Sequence, residues 1–155
     1  MTPAITYLKR KRIRHTIYRY DHDPSSASYG LEAAECLQQD PERVFKTLVL
    51  ESESGELLMA MLPVSRQLAL KKLAQAAGVK KVKMADPENV TASTGYIMGG
   101  VSPFGQKRLL RAFIDDTSIT KQSIFVSAGR RGLEIELAPD VFLSELRAKT
   151  ASLVS

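Results

Sequence analysis

The chain has 155 residues, 44% hydrophobic and 25% charged, a balance that argues against disorder and suffices for one core, so a single compact domain spanning 1–155 is expected. A net charge of +5, from 22 Lys and Arg against 17 Asp and Glu, is a mild argument for a polyanionic partner. One cysteine excludes an intrachain disulfide, two histidines make a structural metal site a poor expectation, and the longest apolar run, Leu57 to Val64, is too short to cross a bilayer. No metal, no cofactor, no membrane segment and a cytoplasmic location are therefore expected.

In chain order, Thr2-Pro3 reads as the N-cap and first turn of a helix whose inward stripe is Ile5, Leu8 and Ile13. Thr16 to Tyr20 alternates like a strand, with Tyr18 and Tyr20 on one face, and Asp21 to Ser26 is turn chemistry. Leu31, Ala34 and Leu37 recur at helical spacing and predict a helix over about 30–38, with Cys36 off the stripe. Asp40-Pro41 predicts a cap into one helical turn.

Val44 to Glu51 and Glu56 to Leu62 predict a hairpin turning at Ser54-Gly55, its second strand apolar on both faces and hence central. Leu68, Leu70, Leu73, Ala74 and Ala77 predict a helix that stops at Gly78, with a short strand at 80–84 and a short helix at 87–93. Strands follow at 109–114, 123–128 and 133–137, the last two joined by Gly129-Arg130-Arg131-Gly132, and Pro139 starts a final helix ending near Arg147. Six or so strands interspersed with helices without strict alternation predict an α+β fold with a mixed, curved or barrel-like sheet.

Two stretches depart from this ordinary pattern. In V-F-K-T-L-V-L, Val44 to Leu50, side chains alternate, so Lys46 shares a face with Val44, Leu48 and Leu50. An unpaired ammonium among such neighbours must snorkel to water, find an acid, or line a pocket for something negative. The second stretch, Gly95 to Arg108, reads G-Y-I-M-G-G-V-S-P-F-G-Q-K-R and holds four of the nine glycines. Such density is expected where backbone must approach a ligand.

The second stretch is not a P-loop, because Gln106 separates Gly105 from Lys107 and no Ser or Thr follows the lysine. Cys36 with His15 or His22 lacks a third orienting group, and neither Ser102 nor Ser127 has an identifiable base. With no evident nucleophile, the lysine, the glycine loop and the tyrosines compose a site that binds and polarises an ester or phosphate.

The motifs V-F-K-T-L, M-A-D-P, T-G-Y-I-M-G-G-V-S-P-F-G-Q-K-R and V-S-A-G-R-R-G-L-E-I-E-L, with Tyr20-x-His22-Asp23-Pro24 near the start, resemble the YbaK branch of the YbaK/EbsC family over nearly the whole chain. That resemblance implies the fold of the editing domain of bacterial prolyl-tRNA synthetases and a deacylase of mischarged Cys-tRNA(Pro), acting beside prolyl-tRNA synthetase. It makes Lys46 the essential lysine, facing the terminal adenosine or its phosphate. It makes Gly99, Gly100, Val101, Ser102 and Pro103 a loop whose amides hold the aminoacyl carbonyl. Tyr20, Tyr29, Thr47, Tyr96, Ser127, Gly129 and Glu134 are implied as substrate-binding. The implied chemistry is substrate-assisted: the cysteinyl thiol attacks its own ester and leaves as a thiolactone. The family's S-G-G-K-R-G-L-D stands here as Ser127-Ala128-Gly129-Arg130-Arg131-Gly132-Leu133-Glu134, one methyl and one methylene larger. Glu134 has a second reading as a structural partner of Lys46 or an arginine. The alternatives for the whole chain are editing of another small residue, such as alanine, by water attack, and non-catalytic binding of tRNA ends or nucleotides.

Overall fold

A computed structural model describes residues 1–26 and 28–155 of the chain. In order these form α1 (Pro3–Arg10), β1 (Thr16–Arg19), α2 (Tyr29–Cys36), β2 (Phe45–Ser52), β3 (Leu57–Pro63), α3 (Leu70–Ala77) and β4 (Val82–Met84). There follow α4 (Pro87–Thr94), β5 (Arg111–Asp115), a short 3-10 turn (Asp116–Thr120), β6 (Ile124–Arg130), β7 (Leu133–Leu137), α5 (Asp140–Leu146) and β8 (Lys149–Ala151). The strands make two sheets, ordered β1-β7-β6 and β4-β2-β3-β5-β8. The larger is mixed: β5 runs parallel to both β3 and β8, the rest antiparallel. The α+β expectation therefore holds, with two sheets in place of one. No helix among the described residues is long and apolar enough to cross a membrane.

The two-residue period of β3 explains the layering. Met59 and Met61 face the smaller sheet, where they pack with Phe45, Val49, Ile124, Val126, Ile135, Phe104 and Phe142. Leu58 and Ala60 face the other way, under Leu73, Ala74 and Ala77 of α3. All five phenylalanines are buried, each contributing about 1.5–3 kcal/mol. A third, smaller cluster packs Ala33 and Ala34 of α2 on Val44, Val64 and Phe125, with Tyr18 and Tyr20 against it.

Several local expectations shift. Leu31 and Leu70 lie 44% and 42% exposed, so neither belongs to its helix's inward face. On α2 the acidic Glu32 is buried in their stead, because hydrogen bonds from the preceding loop satisfy it. Residues 41–43 make a hydrogen-bonded turn, not a helical one. β6 continues through Gly129 and Arg130 after a register shift beyond Ser127, leaving only Arg131-Gly132 as the turn. The unforeseen β8 depends on a partner, β5, more than thirty residues away in sequence.

The two sheets meet at β2. A parallel bridge joins Val44 to Phe125, whose N–H donates to the Arg43 carbonyl at 2.9 Å. Further along, β4 pairs with β2 only at Leu50 to Ser52. Between these points no strand pairs with the outer edge of β2. Val44 accepts from Val64 and Ser52 donates to Glu56, both at 2.8 Å, so the even-numbered residues bond to β3. Thr47 therefore points its N–H and C=O outward into this gap.

Candidate functional site

A cavity of about 270 Å³ fills the gap. Its wall includes Val44 and Phe45 to Val49 of β2, Tyr20, Tyr29, Met98, Gly99, Val101, Ser127, Arg130, Arg131 and Glu134. Lys46, Thr47, Tyr20, Tyr29, Gly99, Val101, Ser127 and Glu134 are thus brought together from six separate stretches of sequence. Lys46 is half-buried and forms no ion pair among the described residues, so of its three possible fates it lines a pocket. Removal from water lowers its pKa.

Glu134 is 6% exposed, and burial raises its carboxyl pKa to about 8. No ion pair links it to Lys46 or to an arginine, so its second reading does not apply. At neutral pH it is mostly uncharged, and the cavity's charge comes from Lys46, Arg130 and Arg131. The Thr47 Oγ1 is buried and unpartnered. The Tyr20 hydroxyl is pushed up to about 12, chiefly by burial.

Tyr29, Arg131 and Gly99 form one side of the mouth. The Arg131 guanidinium lies 3.4 Å from the centre of the Tyr29 ring, a contact worth about 0.5–2 kcal/mol. Gly99 has φ +93, and a Cβ there would stand 2.7 Å from Tyr29 and 2.9 Å from Arg131. Only glycine fits both the backbone angle and the space. Behind Tyr29, His22 meets the ring edge-on at 5.8 Å and its Nδ1 bonds Glu32 at 2.7 Å.

Other expected site residues lie elsewhere. Ser102 is fully buried; its Oγ accepts from the Phe104 N–H at 3.3 Å and its carbonyl from Gln106 at 3.0 Å, so its side chain closes a turn instead of facing the cavity. Tyr96 is a core residue, 3% exposed, donating to the Phe104 carbonyl at 2.7 Å. Pro103 lines a separate opening beside α1, and Gly100 and Gly129 line a groove next to the cavity. The loop still offers backbone donors: among the described residues, the N–H groups of Gly99, Val101 and Ser102 have no intramolecular acceptor. That of Gly100 is taken by the Ile97 carbonyl at 2.9 Å.

Arg130 and Arg131 were missed as lining residues. Two arginines bracketed by Gly129 and Gly132 were the available signal, read as a strand connection and as part of a motif without a binding role of their own. No histidine or cysteine lines the cavity, and the Ser127 Oγ is engaged by the Gly129 N–H at 3.1 Å. The arrangement can hold an anionic group, donate backbone hydrogen bonds to a carbonyl oxygen and seat a small apolar group; it shows no base positioned to activate a side-chain nucleophile.

A family model described as the aminoacyl-tRNA editing domain matches residues 24–144. The chain is 35% identical over 156 residues to a protein of Enterococcus faecalis (strain ATCC 700802 / V583) named "Putative Cys-tRNA(Pro)/Cys-tRNA(Cys) deacylase EbsC", covering 99% of this chain and 93% of that one. It is 38% identical over 69 residues, 44% of this chain and 12% of the relative, to the "Proline--tRNA ligase" of Moorella thermoacetica (strain ATCC 39073 / JCM 9320). A solved structure named "Crystal structure of a putative trans-editing enzyme for prolyl tRNA synthetase" has a TM-score of 0.83 at 22% identity, over 99% of this chain and 95% of that one, a likeness of fold.

Proposed function

Since the chain belongs to the aminoacyl-tRNA editing domain family, we propose that it deacylates mischarged Cys-tRNA(Pro), in the cytoplasm and beside prolyl-tRNA synthetase. The observation that carries this reading is a cavity with three cations and, among the described residues, no ion pair to neutralise them and no activated nucleophile. Such a cavity suits a phosphate-bearing ester that contains its own attacking group.

The substrate supplies that group. The cysteinyl sulfur forms a bond to its own ester carbonyl carbon, the bond from that carbon to the ribose oxygen breaks, and the oxygen departs with the thiol's proton. The products are a cyclic thiolactone and free tRNA. Lys46 holds the terminal phosphate or adenosine, and Tyr20 and Tyr29 confine the nucleoside. The free amides of Gly99 and Val101 are the donors for the carbonyl oxygen as negative charge develops on it. Thr47, Ser127 and the protonated Glu134 supply hydroxyl and carboxyl hydrogen bonds around the aminoacyl group. Orientation and oxyanion stabilisation of this kind contribute several kcal/mol each in good cases.

The test follows Cys-tRNA(Pro) and Ala-tRNA(Pro) with and without the protein and weighs the released product. Loss of cysteine alone, as thiolactone, supports the reading. Loss of alanine transfers the protein to water-based editing, and loss of neither makes it a binding module. In Lys46→Ala the rate on Cys-tRNA(Pro) falls at least 100-fold with an unchanged circular dichroism spectrum; near-wild-type turnover would remove Lys46 from the mechanism.

A further inference from the structure

A groove of about 470 Å³ adjoins the cavity and shares Met98, Arg130 and Arg131 with it. Ile97 and Met98 stand 76% and 38% exposed along the groove, an apolar pair that nothing in the fold covers. Cations flank it. Arg130 is exposed, and the Lys107 methylenes lie 3.3 Å from where a Cβ on Gly95 would stand, which sets its stem beside Gly95 of the groove lining. Neither cation forms an ion pair among the described residues, and no acid lines the groove. The opposite side of the mouth, at Met84 on β4, is mixed in sign: Glu53 accepts from the Lys80 and Lys81 amides, and Glu51 stands opposite Lys83 in the strand register.

We propose that this groove is the track for the unpaired nucleotides preceding the terminal adenosine, with bases against Ile97 and Met98 and phosphates at Arg130 and Lys107. The inference rests on the reading of the substrate as an aminoacyl-tRNA. Single-stranded nucleic acid is held without sequence readout by a cationic groove that follows the backbone and by side-chain platforms under the bases, commonly aromatic and here aliphatic. A protein partner would meet a purely apolar or sign-mixed face in preference to one lined only with positive charge. The strand then leaves the cavity past Arg130 toward α1, not over β4.

Fluorescence anisotropy with an uncharged short RNA ending in CCA tests the track apart from the chemistry. Ile97→Asp and Lys107→Glu, both outside the cavity wall, are expected to weaken binding at least 5-fold each. Lys107→Glu should also flatten the dependence of log affinity on log salt by about 0.7 per lost phosphate contact. Lys83→Glu, as control, leaves affinity within 2-fold. Wild-type binding with unaltered affinity in the first two variants overturns the track, as does no binding by the wild type or an equal loss in Lys83→Glu. A protein that binds the RNA as described but cleaves neither aminoacyl ester retains the track and loses the editing reading, so the two fail separately.

Discussion

Glu32 and Glu134 are nearly equally hidden from solvent, 8% and 6% exposed, but Glu32 lies close under the surface at the start of α2 and Glu134 deep on β7 facing the cavity. Their electrostatics are opposite. Desolvation raises the pKa of Glu32, but hydrogen bonds from His22 at 2.7 Å and from the Asp23 N–H at 2.8 Å outweigh it, and the net shift is downward. Glu134, lying much deeper in the molecule, meets a far larger desolvation with no partner to offset it and rises to about 8. Low exposure alone does not determine the charge of a carboxyl; how deep it lies and which donors surround it do. The α2 corner is a completed joint that braces Tyr29 from behind, whereas the cavity keeps a carboxyl, a lysine and a threonine hydroxyl without protein partners.

Raising the pH removes the proton that Glu134 holds. Its folded pKa lies above the ordinary 4.5, so between 4.5 and about 8 the folded chain retains a proton that the unfolded chain releases. Stability from this group is undiminished below the window and falls as pH rises through it, by on the order of 4 kcal/mol once pH exceeds the folded pKa. Glu134→Gln eliminates that slope, so urea midpoints of variant and wild type should diverge in the variant's favour from pH 5 to pH 8.5. Parallel curves would mean that Glu134 finds a partner in solution.

Glu32→Ala tests the other member with a smaller effect of opposite pH sense. At pH 7 the loss of the carboxylate leaves His22 and the Asp23 amide unmatched, for a cost of about 2 kcal/mol in thermal or urea unfolding. Because the folded pKa is depressed, this contribution is present above the ordinary carboxylate value and vanishes as pH falls through the folded one. A destabilisation that persists undiminished at pH 2 would make the role one of packing.

Thr47→Val is the gentlest change and speaks to why the cavity is left incomplete. Replacing a buried, unpartnered hydroxyl with a methyl of the same shape should be neutral or stabilising by up to about 1 kcal/mol. Deacylation should fall several-fold if the hydroxyl awaits the substrate. Stability and turnover both lost would assign Thr47 to the fold instead.

Much of this architecture is local and could be read from the chain. The β2-β3 hairpin, the stop of α3 at Gly78 and the shared face of Tyr18 and Tyr20 follow from two-residue and helical periods and from turn residues. Leu31 failed that reading because the hydrogen bonds offered by His22 and Asp23 made Glu32 the better residue to bury. Ser102 and Tyr96 failed it because a loop motif says which residues are near a site but not which way each side chain turns.

Lys46 in an apolar strand without an adjacent acid, glycines in the 95–108 loop where backbone is needed, and the lack of a recognisable nucleophile-base motif are all legible in the chain. Those are properties of residue type and spacing. Only the tertiary structure decided that β4 and β6 leave a gap along β2, that Arg130 and Arg131 turn toward it, and that Glu134 arrives there without a partner. Each of these depends on strands distant in sequence meeting at a register, and no local pattern encodes which edge goes unpaired.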